Sequence, residues 1–124
     1  MADPVIQVVL VEEGEQIDFK GKRSWGTSKK IRVNRLFHVI YDGEVIGSIL
    51  YKLFTRESRS PGKRYVNSRW QSPGWAVAYG KKAESAYDMA FHRSGEAYSK
   101  KDAVDRIVND HERNNGLGHW AKKG

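Results

Sequence analysis

Asp42-Gly43 separates two apolar runs, residues 36–41 (LFHVIY) and 44–54 (EVIGSILYKLF). A two-residue type I′ turn needs positive φ at both central positions, and Asp-Gly accepts that geometry. The stretch therefore predicts an antiparallel hairpin. With Asp42 and Gly43 as its loop, the register sets Tyr41 opposite Glu44, Val39 opposite Ile46, His38 opposite Gly47 and Leu36 opposite Ile49. Apolar side chains then fall on both faces, which places the hairpin centrally in its sheet and not at a solvated edge.

The rest of the chain is read around that hairpin. Residues 4–12 (PVIQVVLVE) are β-branched and end at Glu13-Gly14-Glu15, so they predict a strand, with residues 16–20 as its short return partner. Residues 21–28 (GKRSWGTS) read as a loop. Residues 55–73 (TRESRSPGKRYVNSRWQSP) read as a long polar connection, of the kind that serves a function or moves. Residues 75–79 (WAVAY), between Gly74 and Gly80, predict a third strand of the central sheet. Ala83, Ala86, Tyr87, Ala90 and Phe91 have helical spacing, with Ser94-Gly95 as the stop. Ser99 suits an N-cap, with Asp102 in the first turn of a second helix that carries Ala103, Val104, Ile107 and Val108. Strands followed by helices predict an α+β domain over 1–116: an antiparallel sheet with a central Asp-Gly hairpin and C-terminal helices packed on one face. Residues 117–124 read as a tail with Trp120 as its anchor.

Composition narrows the function classes. The 124 residues hold no cysteine, which excludes a disulfide scaffold, a thiolate metal site and a cysteine nucleophile. The longest apolar run, residues 8–11, is far too short to span a membrane, and the N-terminus lacks the basic region of a secretory signal. A cytoplasmic protein is the expectation.

The formal net charge of +7 is segregated along the chain. Residues 1–19 carry Asp3, Glu12, Glu13, Glu15 and Asp18 and no base. Residues 20–35 carry Lys20, Lys22, Arg23, Lys29, Lys30, Arg32 and Arg35 and no acid. A second basic segment, 55–82, contains Arg56, Arg59, Lys63, Arg64 and Arg69 against the single acid Glu57. Both basic segments read as loops or strand ends, and like-charged blocks there attract polyanions. Trp25 lies in the first, and Tyr65, Trp70 and Trp75 lie in or beside the second, so rings are available to stack on bases while cations hold phosphates.

Chemistry-bearing patterns are sparse. His38, His92, His111 and His119 show no metal-ligand spacing, and neither a phosphate-binding glycine loop nor a G-x-S-x-G elbow occurs. Asp18-Phe19-Lys20 has the Asp-x-Lys spacing of some nucleases but lacks an identified second acid. The reading contains no catalytic residue, metal or cofactor.

Three resemblances add to it. Residues 36–59 look like the central strands of ribosome-dependent mRNA-cleaving toxins, which implies a metal-free ribonuclease drawing on Arg56, Arg59, Lys63, Arg64 and Tyr65. Ser99-Lys100-Lys101-Asp102-Ala103 is similar to the helix start of double-stranded-RNA-binding domains. Phe37-His38-Val39, Asp42-Gly43, Ile46-Gly47, Trp75-Ala76-Val77 and residues 99–108 together resemble small uncharacterised α+β proteins of actinobacteria and their phages, which implies an accessory protein.

The leading expectation is a non-enzymatic nucleic-acid-binding protein acting through two basic loops: Lys20, Lys22, Arg23, Lys29, Lys30 and Arg32 on one, Arg59, Lys63, Arg64 and Arg69 on the other, with Trp25 or Trp70 stacking. The alternatives are a phage-type modulator that binds an acidic host protein and the RNA-cleaving toxin. A homo-oligomer is compatible with each; a membrane partner is not expected.

Overall fold

A computed structural model describes residues 3–20, 28–58, 61–62, 68–92 and 95–113. The elements are β1 (Ile6–Glu12), β2 (Glu15–Phe19), β3 (Lys29–Val33), β4 (Arg35–Tyr41), β5 (Glu44–Ser58), β6 (Ser68–Tyr79), α1 (Ala86–His92), β7 (Gly95–Ala97) and α2 (Lys100–Arg113). Strands β1-β4-β5-β6-β7, in that spatial order, form an antiparallel sheet, and β2 pairs with β3 in a separate two-stranded sheet. The α+β class and the antiparallel sheet are as expected, with the Asp42-Gly43 hairpin inside the larger sheet. After β6 the chain runs through α1, the short edge strand β7 and then α2. No helix among the described residues is long and apolar enough to cross a membrane.

The hairpin forms for the reason its turn suggests: Asp42 and Gly43 both have positive φ, 48° and 88°. Its register differs from expectation beyond the first two pairs. Tyr41↔Glu44 and Ile40↔Val45 hold, but a bulge at Ile46 then shifts the ladder to Val39↔Gly47, His38↔Ser48 and Leu36↔Leu50. The shift puts Gly47 under α2, where a Cβ would lie 2.7 Å from Ile107 Cγ2 and 2.9 Å from the Ala78 carbonyl oxygen. Glycine at this strand position is thus a matter of close packing.

Strand alternation divides the core. Phe37, Val39, Ile49 and Val77 face α2 and meet its Ala103, Ile107 and Val108. Leu36, Leu50, Ala76 and Ala78 point the opposite way and meet Ala83 and Met89 of α1 and its approach. The connection into α1 is tied down by a buried polar cluster. Ser48 Oγ donates to the Lys81 carbonyl at 2.7 Å and accepts from Ala83 N–H at 2.9 Å, while His38 Nε2–H donates to the Ala83 carbonyl at 2.7 Å. With Ala83 held there, the helix begins only at Ala86. Its buried residue is then Met89, and Tyr87 and Phe91, expected on the core face, point outward as an edge-to-face pair.

Both helices open on Ser-x-x-Asp. Ser99 Oγ accepts from Asp102 N–H and Asp102 accepts from Tyr98 N–H, each at 3.1 Å. Ser85 and Asp88 repeat the arrangement at α1, with Asp88 accepting from Glu84 N–H. At the other end of α2, the Tyr41 hydroxyl donates to Glu112 at 2.7 Å and its ring meets His111.

Two further expectations are corrected. Residues 16–20 do not return along residues 4–12: β1 pairs with β4, and β2 pairs with β3. In addition, most of the supposed 55–73 connection is strand. β5 and β6 run on as a polar two-stranded ribbon to Ser58↔Ser68. Pro73 is tolerated in β6 because β7 covers β6 only from Trp75 to Val77, which leaves an open edge at the proline. The expected tail, 117–124 with Trp120, lies outside the described residues, as does most of the 21–28 loop.

Candidate nucleic-acid interface

Register places residues 29–33 of the first basic segment and the described residues of 55–72 of the second at one end of the sheet. The Asp42-Gly43 turn closes one end; Arg35↔Tyr51 and Tyr51↔Trp75 mark the other. Past that second end run the β2–β3 hairpin and the outer half of the β5–β6 hairpin. They are joined at the root, where Asn34 N–H donates to the Tyr51 carbonyl at 2.6 Å.

In the first arm the acidic and basic blocks become two sides of one hairpin. Asp18 stands opposite Lys30 and Gln16 opposite Arg32 on one face; Phe19 stands opposite Lys29 and Ile17 opposite Ile31 on the other. Cross-strand pairing of opposite charges offsets part of the basic excess. Lys29, Lys30 and Arg32 are strand residues, exposed along the arm, and not loop residues. Lys20 is exposed at its far end.

The second arm compensates more fully. Arg69 pairs with Glu57 at 3.0 Å, so this expected site residue is already engaged. Arg56 forms a two-pronged ion pair with Glu96 of β7 and donates from Nε to Ser72 Oγ at 2.9 Å. The Glu96 carboxylate raises the Arg56 pKa above its ordinary value. Trp70 stands opposite Arg56 on the ribbon. Lys22, Arg23, Trp25, Arg59, Lys63, Arg64 and Tyr65 lie outside the described residues.

At the root of the arms, on the α2 side, the sheet carries a group that the sequence reading passed over as a site. Tyr51 and Trp75, both half-buried, have ring centroids 5.0 Å apart, and Trp75 is 5.8 Å from Phe37. The Lys100 ammonium sits 4.2 Å above the Phe37 ring and the Arg35 guanidinium 5.5 Å from it. Arg35 Nε is buried and has no hydrogen-bond partner among the described residues. Among the described residues, neither Arg35 nor Lys100 has a carboxylate within ion-pair distance. Arg35 and Lys100 were visible as charges and Trp75 as a ring. Their meeting with Tyr51 depends on the β5–β6 register and on where α2 starts, which no local pattern announces.

On the opposite face a cleft of about 220 Å³ lies between α1 and the sheet, walled by Leu50, Ala76, Ala86, Met89 and Ala90, with Asn34 and Lys52 at its polar side. Among the described residues, no group of three or more His, Asp and Glu is placed to hold a metal ion. The chemistry available at the arm roots is cation placement and ring stacking. Comparison with protein-family models, with curated proteins and with solved structures gives no match to this chain.

Proposed function

We propose that the protein binds nucleic acid without catalysis, with its two hairpin arms following the phosphodiester backbone and the Tyr51–Trp75 group meeting a base or sugar at their root. The observation that carries this reading is the common origin of the arms. The β2–β3 hairpin and the outer part of the β5–β6 hairpin, which carry the described bases of the two segments, leave the sheet at one end, joined by the Asn34–Tyr51 bond. Arg35 and Lys100, which have no ion-pair partner among the described residues, add positive charge beside half-buried rings there, a combination suited to phosphate contact and sequence-tolerant stacking.

Fluorescence anisotropy with labelled single-stranded and duplex DNA and RNA, measured across a salt series, tests it. Neutralising about six phosphates gives a slope of log K against log salt near −5 for duplex. Arg35→Ala and Lys100→Ala should each make that slope shallower by about 1 while weakening binding to all sequences alike. Affinity that does not change with salt overturns the proposal.

A further inference from the structure

The edge of the sheet farthest from β7 carries a feature that nucleic-acid binding does not use. Among the described residues β1 is an edge strand, and Val5, Ile6, Val9, Leu10 and Val11 are 37–61% exposed. No charged residue occurs from Val5 to Val11. Edge strands of monomers are ordinarily blunted by lysine, proline or inward charge, and from Val5 to Val11 this edge has none of these. The Val5 carbonyl accepts from Asp42 N–H at 2.9 Å, so by antiparallel alternation Gln7 and Val9 bond to β4, while Ile6, Val8 and Leu10 direct their N–H and C=O groups to the open side.

The ends of the edge are acidic. Asp3 precedes it, Glu12, which accepts from Ala86 N–H, ends it, Glu13 follows, and Asp42 and Glu44 flank its start across the sheet. No lysine or arginine occurs in 1–19 or in 36–51. Antiparallel pairing of β1 with the same strand of a second copy would bring Asp3 towards Glu12 and Glu13 at both ends, setting like charges together. The complement of this edge is different: an apolar strand with bases at its ends.

We propose that the open edge of β1 is a strand-addition site for an extended segment of another protein, apolar at its centre and flanked by lysine or arginine. Main-chain bonds to Ile6, Val8 and Leu10 give the affinity, and the carboxylates at the two ends select the charge.

The test uses the full chain and two labelled synthetic peptides, Lys-Arg-Val-Thr-Val-Thr-Val-Arg-Lys and Glu-Asp-Val-Thr-Val-Thr-Val-Asp-Glu. The basic peptide should bind about tenfold or more tighter than the acidic one. Val8→Pro deletes an N–H that faces the open side and should weaken the basic peptide by about tenfold, with the salt-dependent affinity for nucleic acid unchanged. The double variant Asp3→Lys/Glu13→Lys, at two exposed positions, should invert the peptide preference and keeps the test decisive if Val8→Pro fails to fold. Absence of saturable binding up to about 1 mM overturns the proposal, as does equal binding of both peptides or a preference unmoved by the charge swap. A dimer in sedimentation that Val8→Pro dissolves overturns it in favour of a second copy as the occupant.

Discussion

The amide of Asn34 donates to the carbonyl of Tyr51 at 2.6 Å, and that one bond joins the two hairpins where each leaves the sheet. Asn34 makes it from a left-handed conformation, φ 60°, which asparagine tolerates better than most residues. Asn34→Val should therefore cost about 1–2 kcal/mol in urea denaturation, and Asn34→Gly should stay within about 0.5 kcal/mol of wild type. Equal losses in both would show that the Asn34 side-chain contact to Glu15, and not the backbone conformation, is what matters.

Ile107 of α2 occupies the space that a side chain at Gly47 of the sheet would need. A methyl group at position 47 would meet Ile107 Cγ2 at 2.7 Å, so Gly47→Ala should destabilise by about 1–3 kcal/mol. Ile107→Ala alone leaves a cavity and should cost about 2–5 kcal/mol. Together they should cost less than the sum by at least about 0.5 kcal/mol, because the new methyl occupies space the isoleucine vacates. A double-mutant cycle with additive losses would mean that the Ala78 carbonyl, and not Ile107, sets the limit at Gly47.

These two positions also mark where the chain could be read locally and where it could not. The Asp42-Gly43 turn and the Ser99 cap are decided by neighbours a few residues away, and both are as expected. The register beyond Ile40 is not, because the bulge at Ile46 serves the seating of Ile107 on Gly47, a contact sixty residues apart in the chain. Residues 55–73 read as a connection because 55–58 and 68–72 lack apolar alternation, and a ribbon projecting past the core needs none. The opposed charge blocks were visible in the sequence. That Asp18 faces Lys30 across one hairpin follows only once β1 has taken β4 as its partner. Arg35, Tyr51, Trp75 and Lys100 come from four different elements, so only tertiary structure assembles them.

Stability should fall in acid for a specific reason. Asp102 and Asp88 have lowered pKa values, chiefly because each accepts a backbone N–H, from Tyr98 and from Glu84; Arg106 and His92 add to the effect. In the unfolded chain such carboxyls titrate near about 3.9. The folded protein thus binds fewer protons, and the stabilisation is complete above the unfolded value and lost as pH falls through the folded one. Denaturant midpoints measured at about pH 7 and about pH 3 should converge between wild type and Asp102→Asn as pH falls. A gap that stays constant would mean that the Asp102 charge contributes nothing beyond its hydrogen bond.

The Arg56–Glu96 pair holds the three-residue strand β7, and with it the entry to α2, against the long ribbon. Arg56 reaches Glu96 through both terminal nitrogens, bonds Ser72 through Nε, and lies 5.0 Å from the Phe54 ring centre. Gly74 leaves the space for this crossing, since a Cβ there would sit 3.0 Å from Glu96 Oε2 and from two Phe54 ring carbons. The side chains are 33% and 37% exposed, so solvent and salt screen the charge interaction. Glu96→Gln should cost only about 0.5–1 kcal/mol, and about 0.5 M salt should narrow its difference from wild type. Arg56→Ala should cost more than Glu96→Gln, because the guanidinium also lies over the Phe54 ring and bonds Ser72. Gly74→Ala should fall between them. If Arg56→Ala costs no more than Glu96→Gln, the anchor is the ion pair alone. If neither variant changes the denaturation midpoint, β7 is held by its backbone bonds to Trp75, Ala76 and Val77 without help from the side chains.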